Sequence, residues 1–325
     1  MNSDFIWTNK PSLHDTRRSL ILKSHPEIKK LFGYDWRSKY ICVLALLIPH
    51  FLLSLSIANM NWILFLTVCY VFGATLTQSI FLAIHELSHN LFFKNSTSNK
   101  LFSIFANLPI CVPYAIAFRE YHKDHHAHLG VDDRDLDIPT YGEAFITNTT
   151  LTKALWMSSQ IVMYALRPVL TRPKKIDIYQ FVNIVVQLLF DIVIVCYWGW
   201  RPIQYMLLSI LFSGGLHPCA GHFISEHYVF SKYKNDQETF SYYGGLNNLM
   251  WNVGYHNEHH DFPNVSGLRL PKLNKIAKKY YDELDVCESW MNAVFTYIFD
   301  ENIGNFNRVK RAHSKKTNLH KRMTD

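Results

Sequence analysis

Four long apolar segments alternate with polar stretches along this chain of 325 residues. A very short link separates the first two, residues 40–59 and 62–84, and a similarly short link separates the second two, residues 180–200 and 204–224. As helices, all four are long enough to cross the roughly 30 Å hydrocarbon core of a bilayer. The pattern therefore predicts an all-α integral membrane protein whose four transmembrane helices form two hairpins.

The region between the hairpins is apolar in places, but we do not expect it to span the membrane. Residues 101–118 are interrupted by Pro109 and Pro113, which favours an interfacial or re-entrant helix, and residues 151–170 indicate another interfacial helix. No internal repeat divides the chain, so we expect one membrane domain over residues 1–325. Its predicted parts are an N-terminal segment (1–39), a first hairpin (40–84), a middle section (85–179), a second hairpin (180–227) and a C-terminal section (228–325).

Basic residues cluster just before each hairpin and indicate an orientation. The two clusters are Lys29, Lys30, Arg37 and Lys39, and Arg167, Arg172, Lys174 and Lys175. The positive-inside rule then places both ends and the middle section in the cytosol. The net charge of +7 suits a lipid bilayer, and no basic stripe interleaved with aromatics indicates a nucleic-acid partner. Because the N-terminus has neither an apolar run nor a glycine at position 2, we expect no cleaved signal peptide and no N-myristoylation.

The third predicted span carries a polar stripe at helical spacing. The stripe consists of Gln180, Asn183, Gln187 and Asp191. Polar groups at membrane depth are costly unless they face protein. Packing against neighbouring helices is the favoured interpretation, and a wall that meets a polar group of a substrate is the alternative.

Histidines are concentrated in three short motifs. "HELSH" begins at His85, "HKDHH" at His122 and "HNEHH" at His256. Spacings of three and four residues place imidazoles on one helical face, and imidazole is a good ligand for iron, copper, zinc or nickel. One HxxxH pair is common by chance, but this pair followed by two HxxHH motifs predicts a metal site.

The predicted helix lengths bring the motifs to one membrane face. His85 lies 23 residues after Trp62, and His227 lies the same distance after Gln204, so both emerge at the cytosolic face. Eight or nine imidazoles exceed the need of one ion, so we expect two metal ions in a cytosolic histidine-rich cap. A redox-active metal can activate dioxygen, whereas zinc cannot change its redox state. The eight candidates from the motifs are His85, His89, His122, His125, His126, His256, His259 and His260.

Other polar residues are candidates for supporting the ligands. The carboxylates Glu86, Asp124, Glu226, Glu258 and Asp261 lie next to candidate ligands, and a carboxylate there can orient an imidazole through its other nitrogen. Ordinary solvated charge is an equal alternative. Asn257 lies within the third motif and is a further candidate for a supporting role. His217 and His222 are expected to support the ligands or line a substrate channel, and His50 is expected to be a satisfied core histidine. We expect solvent exposure for His14, His25, His313 and His320.

The three motifs, in this order and spacing, resemble those of the membrane fatty-acyl desaturase superfamily. Longer stretches are similar to the sphingolipid Δ4-desaturases, also called dihydroceramide desaturases. The similarity covers nearly the whole chain. The stretches that carry it are residues 14–33, 83–93 ("AIHELSHNLFF"), 118–140 ("FREYHKDHHAHLGVDDRDLDIPT"), 216–230 ("LHPCAGHFISEHYVF") and 238–264.

The resemblance implies a metal site and a reaction. Two irons held by the motifs would use dioxygen as co-substrate to insert a trans double bond between carbons four and five of dihydroceramide, giving ceramide. The superfamily's ninth histidine lies about 29 residues before the third motif, which implies His227 as the ninth ligand and catalytic residue here. Its acyl-CoA branch has an asparagine four residues earlier, where this chain has Phe223, and His222 is expected to compensate.

The resemblance also implies a setting in the endoplasmic reticulum membrane and a source of electrons. Cytochrome b5, with its NADH- or NADPH-dependent reductase, would supply them. His25, Pro26 and Glu27 do not complete the HPGG heme motif of fused relatives, so a separate donor protein is expected.

Two other functions remain open at this point. Hydroxylation at carbon four, alone or together with desaturation, shares the first hydrogen abstraction and uses the same motifs. A membrane zinc transporter or metal-binding protein is the non-catalytic alternative. Asp191 and Asn257 are candidates for contacts with the polar part of the lipid substrate.

Overall fold

The computed structural model describes residues 3–57, 59–233 and 237–312 of the chain, and most of these residues are helical. The elements, in chain order, are β1 (Ile6–Trp7), α1 (His14–Ser24), α2 (Ser38–Ser56), α3 (Trp62–Ser88), α4 (Ser96–Ile110), α5 (Ala115–Ala127), α6 (Tyr141–Ile146), α7 (Thr150–Thr171), α8 (Ile178–Trp198), α9 (Arg201–Ser213), α10 (Pro218–Ser225), α11 (His256–Asp261), α12 (Leu270–Ile276), α13 (Trp290–Phe299) and β2 (Val309–Lys310).

Three continuous helices within the described ranges are long and apolar enough to cross a membrane. They are α2, α3 and α8, and they coincide with the first three predicted spans. The span predicted over residues 204–224 is not one continuous helix, because α9 and α10 meet at a bend of 52°. The described part of the chain therefore has three such helices, or up to five spans if the bent pairs α9–α10 and α4–α5 each count as one.

The bend between α9 and α10 follows from glycine and proline. A β-carbon on Gly214 would lie 2.5 Å from Cβ of Ile161, so α7 approaches the chain closely at this point. Pro218 cannot donate a backbone hydrogen bond to a helix that continues from α9. Instead, the His217 side chain accepts a hydrogen bond from the backbone N–H of Cys219 at 3.2 Å and begins a new helix.

The chain also reverses sharply between α4 and α5, which are inclined at 114°. The Asn107 carboxamide organises this turn, because it accepts hydrogen bonds from the backbone N–H groups of Tyr114 and Ala115 and donates to the carbonyl of Val112. Since a side chain satisfies these backbone groups, the turn can lie next to lipid. This geometry agrees with the interfacial or re-entrant helix predicted over residues 101–118.

The polar stripe of α8 packs against this turn, as the favoured interpretation predicted. Gln187 accepts a hydrogen bond from Asn107 at 2.7 Å and donates to the carbonyl of Leu108, and Gln180 donates to the carbonyl of Pro113. Asn183 accepts a hydrogen bond from the backbone N–H of Ile116. The hydrogen bonds of the stripe therefore hold α8 against the turn between α4 and α5.

The two ends of the described chain meet on the cap. Strands β1 and β2 pair in parallel, with Ile6 beside Val309 and Trp7 beside Lys310. Helix α1 packs against α11, and Ile21, Ile28 and Phe262 are fully buried in the apolar cluster that joins them. Residues from both ends thus enclose the third histidine motif.

Gly221 provides a test of the packing between α10 and α13. A β-carbon at Gly221 would lie 2.4 Å from the carbonyl oxygen of Trp290, which belongs to the backbone and cannot rotate away. We expect Gly221→Ala to lower the thermal midpoint of the protein in detergent by several degrees, since overpacking costs about 1–3 kcal/mol. Gly245→Ala is the matched control, because a β-carbon there meets nothing within 4 Å. An unchanged midpoint for Gly221→Ala would contradict this packing.

Candidate metal centre

Five of the nine predicted histidines converge in one cluster, called cluster A. His85 is on the last turn of α3, His89 caps that helix, His122 and His126 are one turn apart on α5, and His259 is on α11. One ring nitrogen from each lies within 4.8 Å of all the others. Three separate parts of the chain therefore direct imidazole nitrogens at one point.

The nitrogens of cluster A face each other at short distances. Nε2 of His122 lies 2.9 Å from Nε2 of His89 and 3.0 Å from Nε2 of His126, which in turn lies 3.1 Å from Nε2 of His259. Neutral imidazole has one donor nitrogen and one acceptor nitrogen. A ring of nitrogens that converge without another polar partner is the arrangement expected around an ion.

The other four predicted histidines form a second cluster, called cluster B. Ring nitrogens of His125, His227 and His260 lie within 4.8 Å of one another. Nε2 of His256 is 2.9 Å from Nε2 of His227, so His256 completes the group. The two clusters adjoin, because the rings of His126 in cluster A and His260 in cluster B are stacked with centroids 4.4 Å apart.

Burial favours the uncharged form of most of these imidazoles; His125 differs, because its desolvation is outweighed by the Asp135 carboxylate, which raises its pKa. Desolvation is the main reason that the pKa values of His256, His259 and His260 lie well below the usual histidine value, and the charges of neighbouring histidines lower them further. The pKa of His89 is lowered for the same reasons. At neutral pH the rings therefore keep free lone pairs, which is the form that binds a metal ion.

Asp135 orients one of the ligands of cluster B. Its Oδ1 lies 2.9 Å from Nδ1 of His125, and both side chains are buried. Since a carboxylate only accepts, Nδ1 carries the hydrogen and Nε2 is left as the ligand atom. The spacing of the motifs gives no signal for this residue, because Asp135 lies ten residues beyond His125 among four closely spaced aspartates.

Four of the side chains predicted to support the ligands bind partners other than the rings of the two clusters. Asp124 forms an ion pair with Lys174, Glu86 accepts from Ser266 and the backbone N–H of Gly267, and Glu258 accepts from Ser241, Tyr243 and Asn274. Asn257 contacts Thr239 and Arg17. Among the described residues, the polar contacts of these four side chains join α3, α5 and α11 to their surroundings and involve no ring of either cluster.

His222 and Glu226 lie on the cavity side of cluster B. Nδ1 of His222 is 3.2 Å from the Glu226 carboxylate, and Nδ1 of His256 is 3.5 Å from it. His222 and His227 both line a cavity beside the clusters, together with Phe81, Leu82, Phe118 and Val253. His222 therefore faces a largely apolar space adjacent to the candidate ligands.

The expectation that His14 is solvent-exposed is wrong. Its ring is buried, with Nδ1 2.6 Å from Asp261 and Nε2 2.9 Å from Thr239, and its centroid is 5.0 Å from that of His260. Burial arises because α1 packs on α11, a contact that no local pattern indicates. His50 is a satisfied core histidine as predicted, bound to Tyr205 at 3.0 Å. His313 and His320 lie outside the described residues.

The donor chemistry of the two clusters fits a pair of transition-metal ions. Cluster A offers five neutral nitrogen donors and cluster B offers four, a set suited to iron, copper, zinc or nickel. The adjoining cavity presents the apolar side chains of Phe81, Leu82 and Phe118 beside the clusters. Such a site can perform oxidation on a bound lipid when its metal is redox-active.

Comparisons with known proteins agree with this chemistry. Residues 60–289 match the family model described as fatty acid desaturase, and residues 1–37 match the model described as sphingolipid Delta4-desaturase. A sphingolipid delta(4)-desaturase DES1-like protein of Oryza sativa is 46% identical over 97% of this chain and 95% of its own length. The sphingolipid delta(4)-desaturase DES1 of Bos taurus is 44% identical over 95% of each chain, and that of Drosophila melanogaster is 42% identical over 95% of this chain and 96% of its own.

Metal content tests the two clusters. We expect the purified protein to hold two metal ions per chain and the double variant His89→Ala/His122→Ala to hold about one, because cluster A then keeps only three of its five donors while cluster B keeps all four. His128→Ala is the control. His128 follows the second motif but belongs to neither cluster, and its Nδ1 lies 3.2 Å from the backbone oxygen of Asp124. Elemental analysis of metal per chain provides the measurement. Equal metal content in both variants would exclude cluster A as a site.

Proposed function

This chain belongs to the sphingolipid Δ4-desaturase family, and we propose that clusters A and B each hold one of the two irons used in its reaction. The enzyme is an oxidoreductase that desaturates dihydroceramide at the Δ4 position. The proposed assignment gives five ligands to one iron and four to the other, with His227 as the ninth. The observation that carries it is the convergence of nine imidazoles in two adjoining clusters beside an apolar cavity.

The proposed reaction removes two hydrogens from carbons four and five of the sphingoid base. With one dioxygen, two electrons and two protons, it yields a trans double bond and two waters. When bound, the two irons supply the oxidising power that unactivated methylenes require. The protein's part is to hold the chain in one conformation and to keep water away from the reacting carbons.

Side chains of this protein can perform that part. Phe81, Leu82 and Phe118 give the cavity an apolar wall next to His85 and His122, which favours a methylene chain over water. Asp135 holds the His125 ring in one tautomer and orientation. His222 and Glu226 are proposed to support the second cluster through His256.

We further propose separate protein electron donors, cytochrome b5 and its reductase, for the two electrons. The enzyme is proposed to reside in the endoplasmic reticulum membrane with both ends and both clusters in the cytosol. The distribution of tryptophan supports this orientation, since Trp62, Trp198 and Trp200 are exposed at the ends of α3, α8 and α9 farthest from the clusters. The basic segments before the two hairpins support it as well.

Lipid analysis tests the activity. We expect the wild-type chain, expressed in cells that lack Δ4-desaturase, to convert dihydroceramide to ceramide, and His260→Ala to lose at least a hundredfold of that activity because cluster B loses a donor. Mass spectrometry of the sphingoid bases distinguishes the products. A 4-hydroxylated base as the sole product would assign the hydroxylase function instead, and no lipid product together with bound zinc would favour a non-catalytic role.

Glycosylation tests the orientation. Asn95, Asn148 and Asn264 each begin a glycosylation sequon, and all three are cytosolic in the proposed topology. We expect none to be modified in a eukaryotic host, whereas a sequon on a flexible loop inserted between Trp200 and Arg201 should be glycosylated. Endoglycosidase-dependent mobility on a gel is the measurement. A glycan on Asn264, near His260, would exclude a cytosolic metal centre.

A further inference from the structure

The cavity beside the clusters lies next to a second, smaller cavity whose walls include several polar groups. Asp137, Ile161, Tyr164 and Phe223 line both. We call its polar part the polar lobe, defined by Asp137, Gln160, Tyr164, Arg167 and Arg308. A bound molecule can therefore place an apolar chain beside the histidines and polar groups in the lobe.

The charges of the polar lobe are already compensated. Arg167 forms a buried ion pair with Glu143 at 2.6 Å, and Arg308 forms one with Asp137 at the same distance. Each guanidinium has a carboxylate partner, so the lobe offers no unpaired cation to a phosphate or a coenzyme A group. The lobe therefore suits a polar but uncharged ligand.

Buried polar atoms around the cavities lack partners and indicate what that ligand must offer. Nε2 of Gln160, Oε1 of Glu226 and Oε1 of Gln78 are buried without a hydrogen-bond partner among the described residues. Such atoms are rare in folded proteins and costly to leave unpaired. Gln160 is a donor that needs an acceptor, and the two oxygens are acceptors that need donors.

An N-acylated sphingoid base has matching groups. Its amide carbonyl is an acceptor, and its amide N–H and hydroxyls are donors, while the whole polar part is uncharged. The amide is attached to carbon two, only two carbons from the reacting carbon four. A polar lobe that adjoins the clusters is therefore close enough to hold this part of the lipid while carbon four lies beside the histidines.

We propose that the polar lobe is the recognition site for the amide of the lipid substrate and that Gln160 donates a hydrogen bond to the amide carbonyl. The proposal rests on the proposed function and adds the residues that select an uncharged N-acylated substrate over an acyl thioester of coenzyme A. Tyr164 forms the wall between the two cavities and contacts Asp137 through its hydroxyl. The earlier candidates lie elsewhere, because Asp191 binds Gln187 on α8 and Asn257 binds Thr239.

Binding measurements with two lipids test the role of Gln160. One lipid is a short-chain dihydroceramide, and the other is its thioamide analogue, which keeps the N–H but has sulfur, a weaker acceptor, in place of the carbonyl oxygen. We expect the iron-loaded protein in detergent to bind the amide about tenfold more tightly than the thioamide, the effect of one buried hydrogen bond. Gln160→Leu should bind both lipids with similar affinity. Titration of a fluorescent derivative of each lipid provides the dissociation constants.

Controls separate recognition from folding. Ser158→Ala lies on the same helix, and its hydroxyl binds only its own helix backbone at Ala154, so it should keep the tenfold preference. Gln160→Glu preserves the size of the side chain but replaces the donor, and it should lose the preference as Gln160→Leu does. The thermal midpoint and iron content of each variant show whether the fold is intact.

The outcomes distinguish this proposal from the proposed function. Loss of the amide preference in both Gln160 variants, with iron content unchanged, supports the recognition site. A preference for the amide that persists in either variant overturns it. If the wild type binds the amide through Gln160 but yields no double bond, the proposed function fails while the recognition site stands.

Discussion

Burial of uncharged imidazole at the edge of a membrane is the constraint on which the rest of this structure depends. Nine rings must be removed from water, kept neutral and directed at two points, although their residues are spread from His85 to His260. No single helix can present so many, so α3, α5 and α11 contribute in turn. The turn held by Asn107 and the bend after Gly214 change the direction of the chain, so that the segments that follow them reach the two clusters.

The surroundings of the clusters keep carboxylates occupied with other partners. Asp261, directly after His260, is held by His14, Arg17 and Tyr281. An acidic side chain without such partners next to a metal would compete with imidazole for the ion. Asp135 and Glu226 are the exceptions. Asp135 binds Nδ1 of His125 and leaves Nε2 free to bind a metal. Glu226 lies 3.2 Å from Nδ1 of His222 and 3.5 Å from Nδ1 of His256, and its Oε1 has no hydrogen-bond partner among the described residues.

The sequence predicted the apolar helices and the histidine motifs well, because both depend on local periodicity. Spans near α2, α3 and α8 follow from runs of apolar residues, and the motifs follow from helical spacing. Features that depend on long-range contacts were missed. His14 was expected to be exposed because only the packing of α1 on α11 buries it, and no local pattern distinguishes Gln160 within residues 151–170, since its surroundings are set by the fold.

The spread of ligands along the chain has a consequence for how the enzyme is made. Cluster A contains His85 and His259, and cluster B contains His125 and His260. Neither cluster can therefore be complete until more than three quarters of the chain has been translated. In the proposed orientation, α3 is made with His85 and His89 at its cytosolic end before α11 exists. With the clusters as the proposed metal sites, metal loading is a late event in biogenesis, and a ribosome that stalls before the third motif leaves a metal-free chain for quality control to remove.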